Sequence, residues 1–345
     1  MQDRPEVMFR LSGRVDVDDW RRRHERGEVP DAWPYGLDRM AAHGVRVTPA
    51  PAYTGDPRVA RLARGLGGRY EWLESRTSAG APDAVLCWDE RVGVPSARNA
   101  RGPKVLTGVI WLTDEQRTSR THRLLAGSAL RRAHRVWALS SAQLPVLRDD
   151  FGVPEKHLVH LPFGIDTDFF RPAATDPEPG LVIGAGNDRH RDHPALVAAV
   201  GTLRRTDPAV RLELATRQAI EVPAELGARH TALTHPQMRA LYGRGAVVAV
   251  ALRPNLHVSG ISVILEAMAC GRPVVVSDTP GMRDYVTHGS TGLLVPPGEV
   301  SAFAAAIRDL LTDPQRAAEM GAAARRDVER RFSTQVQAGH LAALL

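Results

Sequence analysis

The chain has 345 residues, 43% hydrophobic and 24% charged, with a formal net charge of +6. That is long enough for two domains, is ordinary for a soluble globular protein, and holds no apolar run of the roughly 18 residues that a membrane span requires. Two cysteines, Cys87 and Cys270, are too few for a disulfide framework or a zinc site, and both sit in apolar runs as buried thiols.

The positive charge is almost all arginine, Lys104 and Lys156 being the two lysines. The runs Arg21-Arg22-Arg23 and Arg325-Arg326 are short, interleaved with acids and without aromatic stacking partners, so they read as solvated helix faces and not as a nucleic-acid surface. A peripheral contact with anionic lipid stays open. The segment Met1 to Glu6 lacks the apolar core of a signal peptide, which points to the cytoplasm.

Short β-branched runs alternate with helical patterns, the mark of parallel α/β architecture. The expected strands of the first half are Val7–Leu11, Val45–Pro49, Ala84–Cys87, Val105–Ile110, Arg135–Leu139 and Leu158–Leu161. Those of the second half are Leu181–Gly184, Val210–Ala215, Ala232–Thr234, Val247–Ala251, Val274–Ser277 and Gly292–Val295. Helices fit between most of them, including Pro194–Thr206 and Pro314–Phe332; in Val300–Thr312 the residues Phe303, Ile307, Leu310 and Leu311 recur at helical spacing. Prolines and a glycine crowd Arg171–Gly180 and break both helix and sheet. The expected division is therefore 1–172, 173–332 and a tail 333–345 returning to the first domain. Ligands of open parallel sheets bind outside the carboxyl ends of the strands, so the loops there are the place to seek chemistry.

The run Val258–Gly271 is the most telling. A glycine turn at Gly260 enters a short helix that is apolar except at Glu266, and Gly271 and Pro273 end it. A carboxylate in such a helix is costly without hydrogen-bond partners. No Lys or Arg lies within a turn, so the partner is elsewhere in the fold or is a ligand; two adjacent hydroxyls, as on a ribose, suit its two oxygens. The helix N-terminus offers free amides and a positive dipole end to a phosphate. Ser259 also reads as a plain helix cap.

Leu265-Glu266-Ala267-Met268-Ala269-Cys270-Gly271-Arg272-Pro273-Val274-Val275 closely resembles the best-known segment of retaining, nucleotide-sugar-dependent glycosyltransferases of the GT-B fold, family 4 (group 1). Gly292–Gly298, Ala133–Ser140 and His160–Pro172 resemble three further segments of that family, and the likeness runs from about Arg131 to Phe332. It implies two facing Rossmann-like domains with parallel sheets and an interdomain cleft: an acceptor-binding half, then a donor-binding half. It implies a hexosyltransferase-type enzyme that binds a nucleoside diphosphate sugar and a small-molecule or saccharide acceptor, with neither cofactor nor metal. By the resemblance Glu266 binds the ribose hydroxyls, Ser259, Gly260 and Ile261 cradle the sugar and diphosphate, and Arg191 stands at the diphosphate-binding lysine, with Arg189 its rival. A guanidinium there can pair bidentately with phosphate.

The departures are specific. The family's first glutamate, eight residues before the second, is Val258 here, beside His257. Its arginine five residues before the lysine falls at Gly186, and a later glutamate is Asp284. In the first half Gly36 and Gly13 compete for the family's glycine loop. Its histidine after the fourth strand is missing; Asp114 is the nearest polar candidate, a helix-capping role being the alternative, and His122 is farther along. Trp88, Asp89 and Trp111 can face an acceptor or serve the core. The acceptor class stays open among natural product, glycolipid, thiol and saccharide. These departures keep two other readings in play: a nucleotide-sugar epimerase on the same scaffold, and a non-catalytic nucleotide-sugar-binding relative.

Overall fold

The computed structural model describes residues 4–13, 15–51, 56, 58, 59, 62, 70–73, 75, 81–114 and 120–345. The chain divides into two compact units. One takes in residues up to Arg22, Ala32–Pro162 and Gln337–Leu345; the other takes in Arg23–Asp31 and Phe163–Val336.

In the first unit the strands β1 (Glu6–Arg10), β2 (Arg46–Pro49), β3 (Ala84–Cys87), β4 (Lys104–Val109), β5 (Arg135–Ala138) and β6 (Leu158–His160) form a parallel sheet in the order β2-β1-β3-β4-β5-β6. In the second, β7 (Leu181–Ala185), β8 (Arg211–Ala215), β9 (Gly227–His230), β10 (Val247–Val250), β11 (Val274–Ser277) and β12 (Leu293–Val295) form a parallel sheet in the order β12-β11-β10-β7-β8-β9. Among the described residues no helix is long and apolar enough to cross a membrane.

The second sheet shows why these sequences become central strands. β7, β10, β11 and β12 are buried at every position, as continuous apolar runs covered by helices on both faces should be. Helix Val300–Leu311 turns Phe303, Ala304, Ile307 and Leu310 into that core. Helix His193–Arg204 starts where the Asp192 carboxylate accepts the Ala195 amide, with Pro194 in its first turn.

One strand differs from expectation. Ala232–Thr234 joins no sheet; β9 lies earlier, at Gly227–His230. Thr234 caps helix His235–Arg244 instead, in a reciprocal capping box with Gln237 ahead of Pro236. The Thr-x-x-Gln signal outweighs a short β-branched run.

The chain passes from the first unit to the second at Pro162–Phe163, ahead of the proline-rich stretch 171–180. The cause is local packing. The Phe163 amide donates to the Tyr285 hydroxyl at 2.9 Å, Ile165 bridges to Ser333, and Asp166 accepts the amides of Asp31, Asp168 and Phe169. The chain returns to the first unit at Gln337, four residues past the expected start of the tail.

The helix that carries Glu266, Ile261–Ala269, is seated by helix Pro314–Arg331. The two meet at glycine: a Cβ on Gly321 would overlap the Gly271 carbonyl. Arg325 reinforces the seat by donating to the carbonyls of Ala269 and Phe170 at 2.7 Å and of Thr167 at 3.0 Å. Gly321→Ala gains about 1 kcal/mol of helix propensity. Overpacking against rigid backbone costs about 1–3 kcal/mol, occasionally more. The net expectation is a loss of up to about 2 kcal/mol, read as a lower urea midpoint at unchanged slope.

Candidate functional site

In the second sheet β7 neighbours both β8 and β10, so successive crossovers leave it in opposite directions. This is the switch point of a doubly wound sheet, where the loops beyond the strand ends part and a ligand can enter. The loops after β7 (186–192) and after β10 (251–260) meet there. Arg191 and Leu252 form an antiparallel bridge, the Asp192 amide donates to the Ala251 carbonyl at 2.9 Å, and the Arg253 amide donates to the His190 carbonyl at 2.8 Å. The Ser277 hydroxyl, at the end of β11, accepts the Leu252 amide at 2.9 Å.

Arg191 is the most unusual residue at this point. It is 5% exposed, and its Nε and Nη1 make no hydrogen bond. Its guanidinium lies between two glycines: a Cβ at Gly186 or at Gly260 would overlap it, and both glycines have positive φ, 124° and 98°. Burial lowers its pKa to about 10, so it remains a cation at neutral pH. Asp188 and Glu266 attract it only through space. A buried cation with unused donors is expensive unless a ligand supplies acceptors.

Gly260 is also the cap residue of helix Ile261–Ala269, and no side chain caps that helix. Arg191 and the positive end of the helix dipole therefore coincide, the arrangement that receives an anion. Arg189, the sequence rival, is exposed.

Glu266 lies five residues into the helix, about 7.5 Å along its axis from Ile261 at 1.5 Å per residue. Its partner within the fold is Tyr242, whose fully buried hydroxyl donates to Oε2 at 2.8 Å. Nothing in the sequence spacing marked Tyr242. Burial pushes the Glu266 carboxyl up to about 7, while the Tyr242 hydrogen bond and the Arg191 charge pull it down. Glu266 itself is partly exposed, so its carboxylate is open to a ligand as well.

Ser259 does not cap the helix. Its amide donates to the Asn255 side chain at 2.9 Å and its hydroxyl donates to Asp188 Oδ1 at 2.8 Å. The reason is that Gly260 adopts the left-handed cap conformation, which turns Ser259 toward the β7 loop. Asp188 also accepts the His190 amide at 2.9 Å, and its Oδ2 lies 3.6 Å from His257 Nε2. Burial would raise the Asp188 carboxyl, but His257, the His190 amide and Ser259 together hold it well below the usual carboxylate range. The donor atoms of Asp188, His190 and His257 all lie within 4.8 Å of one another, close enough to hold a metal ion. Val258 is fully buried with φ of 48°, a strained conformation for a β-branched residue. Sequence reading had taken the 186–192 loop for its arginines and passed over Asp188 and Asn255.

Ile261 opens the helix and is buried. Asp284 sits in the short turn Met282–Asp284 after β11, where its carbonyl accepts from Arg331 at 2.7 Å. Gly36 and Asp114 belong to the first unit. Gly36 is buried with φ of 65° inside Pro34–His43, and Asp114 ends the turn Leu112–Asp114. Gly13 donates its amide to Glu71. His122 pairs with the Tyr70 hydroxyl at 2.7 Å.

The first sheet has its own switch point between β1 and β3. There the Ser12 hydroxyl donates to Asp89, Arg91 donates to both, and Asp89 caps helix Glu90–Asn99. Trp88 is buried and stacked on Tyr35 at 3.9 Å, and Arg91 covers the Trp111 ring, so both tryptophans are engaged within the fold.

Residues 180–313 match the profile of the group 1 glycosyl transferases. The chain is 29% identical, over 89% of its length and 86% of the relative's, to a GDP-mannose-dependent alpha-(1-6)-phosphatidylinositol monomannoside mannosyltransferase of Mycolicibacterium smegmatis. It is 27% identical, over 74% of its length and 66% of the relative's, to a D-inositol 3-phosphate glycosyltransferase of Pseudarthrobacter chlorophenolicus. Its fold is similar to that of sucrose-phosphate synthase from Thermosynechococcus elongatus, with a TM-score of 0.71 at 18% identity over 99% of this chain and 98% of that one. The Anabaena HepE protein solved with UDP and glucose gives 0.66 at 18% identity, over 99% and 98%.

Residues 180–313 form a group 1 glycosyl transferase domain, and the chain has the fold of the GT-B glycosyltransferases. In this glycosyltransferase the buried cation and the acid of the Glu266 helix fall on the segment matched by the family profile.

A diol docked on Glu266 requires the ionised carboxylate. Because the folded protein holds that proton more tightly than the unfolded chain does, ionising Glu266 costs stability as pH climbs through about 7. Affinity for a nucleotide sugar is therefore expected to rise several-fold from about pH 6 to about pH 8, and Glu266→Gln to flatten that rise. Calorimetric titration with UDP-glucose and GDP-mannose, whose diphosphates do not titrate in this range, reads the effect.

Proposed function

We propose that this glycosyltransferase takes a hexosyl group from a nucleoside diphosphate sugar and transfers it, with retention at the anomeric carbon, to a hydroxyl of an inositol-bearing glycolipid headgroup. The observation that carries the donor half is Arg191, a buried cation with unused donors, at the uncapped N-terminus of the Glu266 helix. Glu266 would accept the ribose hydroxyls about 7.5 Å farther along the helix, a spacing suited to a ribose followed by a diphosphate. As the sugar bond breaks, negative charge gathers on the leaving diphosphate; a guanidinium and amides already in place stabilise it without reorganisation. In this reading Arg191 does the work of a metal cation.

The acceptor half rests on the two relatives above, one named for a phosphatidylinositol mannoside and the other for inositol 3-phosphate. The two free, buried cysteines suit a reducing, cytoplasmic setting.

The test begins with thermal-shift and calorimetric titrations of UDP-, GDP-, dTDP- and ADP-hexoses. The preferred donor is then incubated with inositol phosphate and phosphatidylinositol acceptors, and the anomeric configuration of the product is read by NMR. An inverted product would remove the retaining assignment. Arg191→Met deletes a buried charge with unused donors, so its melting temperature is expected to equal or exceed that of the wild type. Nucleoside diphosphate affinity should fall by about 1.5–3 kcal/mol, the scale of hydrogen bonds to charged groups, with turnover reduced further. Wild-type turnover in Arg191→Met would move the role to Arg189.

A further inference from the structure

We propose that Asp188 is the residue that recognises the hydroxyls of the transferred sugar, taking over at the β7 loop the work of the carboxylate missing at position 258. The proposal rests on the donor-binding reading above and deepens it.

Val258 cannot be replaced functionally by its own side chain: it is fully buried, and its left-handed backbone turns it into the core. The polar groups that border the helix N-terminus come instead from its neighbours. Ser259 reaches across 71 positions of sequence to Asp188, and His257 brings a buried imidazole to the opposite carboxylate oxygen. Asp188 Oδ1 takes the Ser259 hydroxyl, the His190 amide and the His190 ring, whereas Oδ2 faces His257 at 3.6 Å. The Asp188 side chain keeps 27% of its exposure, so that an ionised carboxylate with acceptor capacity is presented to solvent from a rigid frame.

Its place in the site is what assigns the ligand. Glu266 lies inside the helix, Arg191 packs on Gly260 at its start, and Asp188 binds Ser259 just before that start. Along this line a nucleoside diphosphate sugar has its ribose, its diphosphate and then its hexose. The hexose therefore falls at Asp188, where hydroxyls meet a carboxylate, with His257 and Ser259 fixing its orientation. Asp188 would in this way act as a specificity residue, because a carboxylate held in a fixed orientation matches a hydroxyl at one ring position and not at its epimer.

The competing occupant of the same cluster is a divalent cation on Asp188, His190 and His257. The Ser259 hydroxyl and the His190 amide already occupy Oδ1 as donors, so cation and sugar hydroxyl would compete for Oδ2, and a Zn²⁺ titration separates them.

The test compares wild type, Asp188→Asn and Ser259→Ala by calorimetry with UDP, UDP-glucose and UDP-galactose, and with GDP, GDP-mannose and GDP-glucose. Expected for Asp188→Asn is nucleoside diphosphate affinity within twofold of wild type, nucleotide-sugar affinity down at least tenfold, and loss of discrimination between the epimeric sugars. Ser259→Ala, which leaves the carboxylate but frees its orientation, should show the same pattern at smaller size. Equal losses for diphosphate and nucleotide sugar, or unchanged discrimination in both variants, would overturn the proposal. So would stoichiometric Zn²⁺ binding that Asp188→Asn abolishes while sugar discrimination stays intact. Failure of the wild-type chain to bind any of these nucleotides would remove the donor-binding reading and this proposal with it.

Discussion

The candidate site turns on one packing constraint: a guanidinium held between two glycines. Arg191 is buried, with its Nε and Nη1 unused, at the point where the β7 loop meets the start of the Glu266 helix, and a side chain at either Gly186 or Gly260 would overlap it. An arginine with free donors in that position destabilises the unliganded protein. In the proposed reading an arriving anion offsets that cost. The absence of a family arginine at position 186 has a physical meaning in this frame. The longer side chain at 191 fills the space that a residue at 186 would need.

The rest of the second unit serves to hold that point. The strand order places β7 beside β10, so the two loops that carry the site meet at the sheet's switch point and are tied by backbone hydrogen bonds, not only by side chains. Helix Pro314–Arg331 holds the Glu266 helix through a glycine contact and the Arg325 bond to the Ala269 carbonyl, while Arg325 also ties in the carbonyls of Phe170 and Thr167. Rigid backbone on both sides is what lets a small set of charges keep its geometry. The same logic recurs at the first sheet's switch point, where Ser12, Asp89 and Arg91 converge.

Much of this was legible in one dimension. Alternating β-branched and helical runs gave nearly every strand within a residue or two, because a buried parallel strand needs a continuous apolar stretch whatever surrounds it. Glu266 stood out because a carboxylate in an apolar helix must have a partner. The 232–234 strand failed because a capping box competed for the same residues, and local sequence does not say which of two local signals the fold will honour. Tyr242 and Asp188 carry no local signal because each acts through a contact with a residue distant in sequence: Tyr242 with Glu266, Asp188 with Ser259.

By itself, then, the sequence determined the α/β class, the resemblance to group 1 glycosyltransferases and the helix of Glu266, since each depends on residue type at short range. Only the tertiary structure decided which arginine is buried, that Tyr242 shares the Glu266 carboxylate, that Val258 faces the core, and that Asp188 stands beside Ser259. Those are questions of where strands order themselves in a sheet and how two loops close on each other. Hydrogen bonds and close packing are set by separation in space, and separation along the chain does not reveal it.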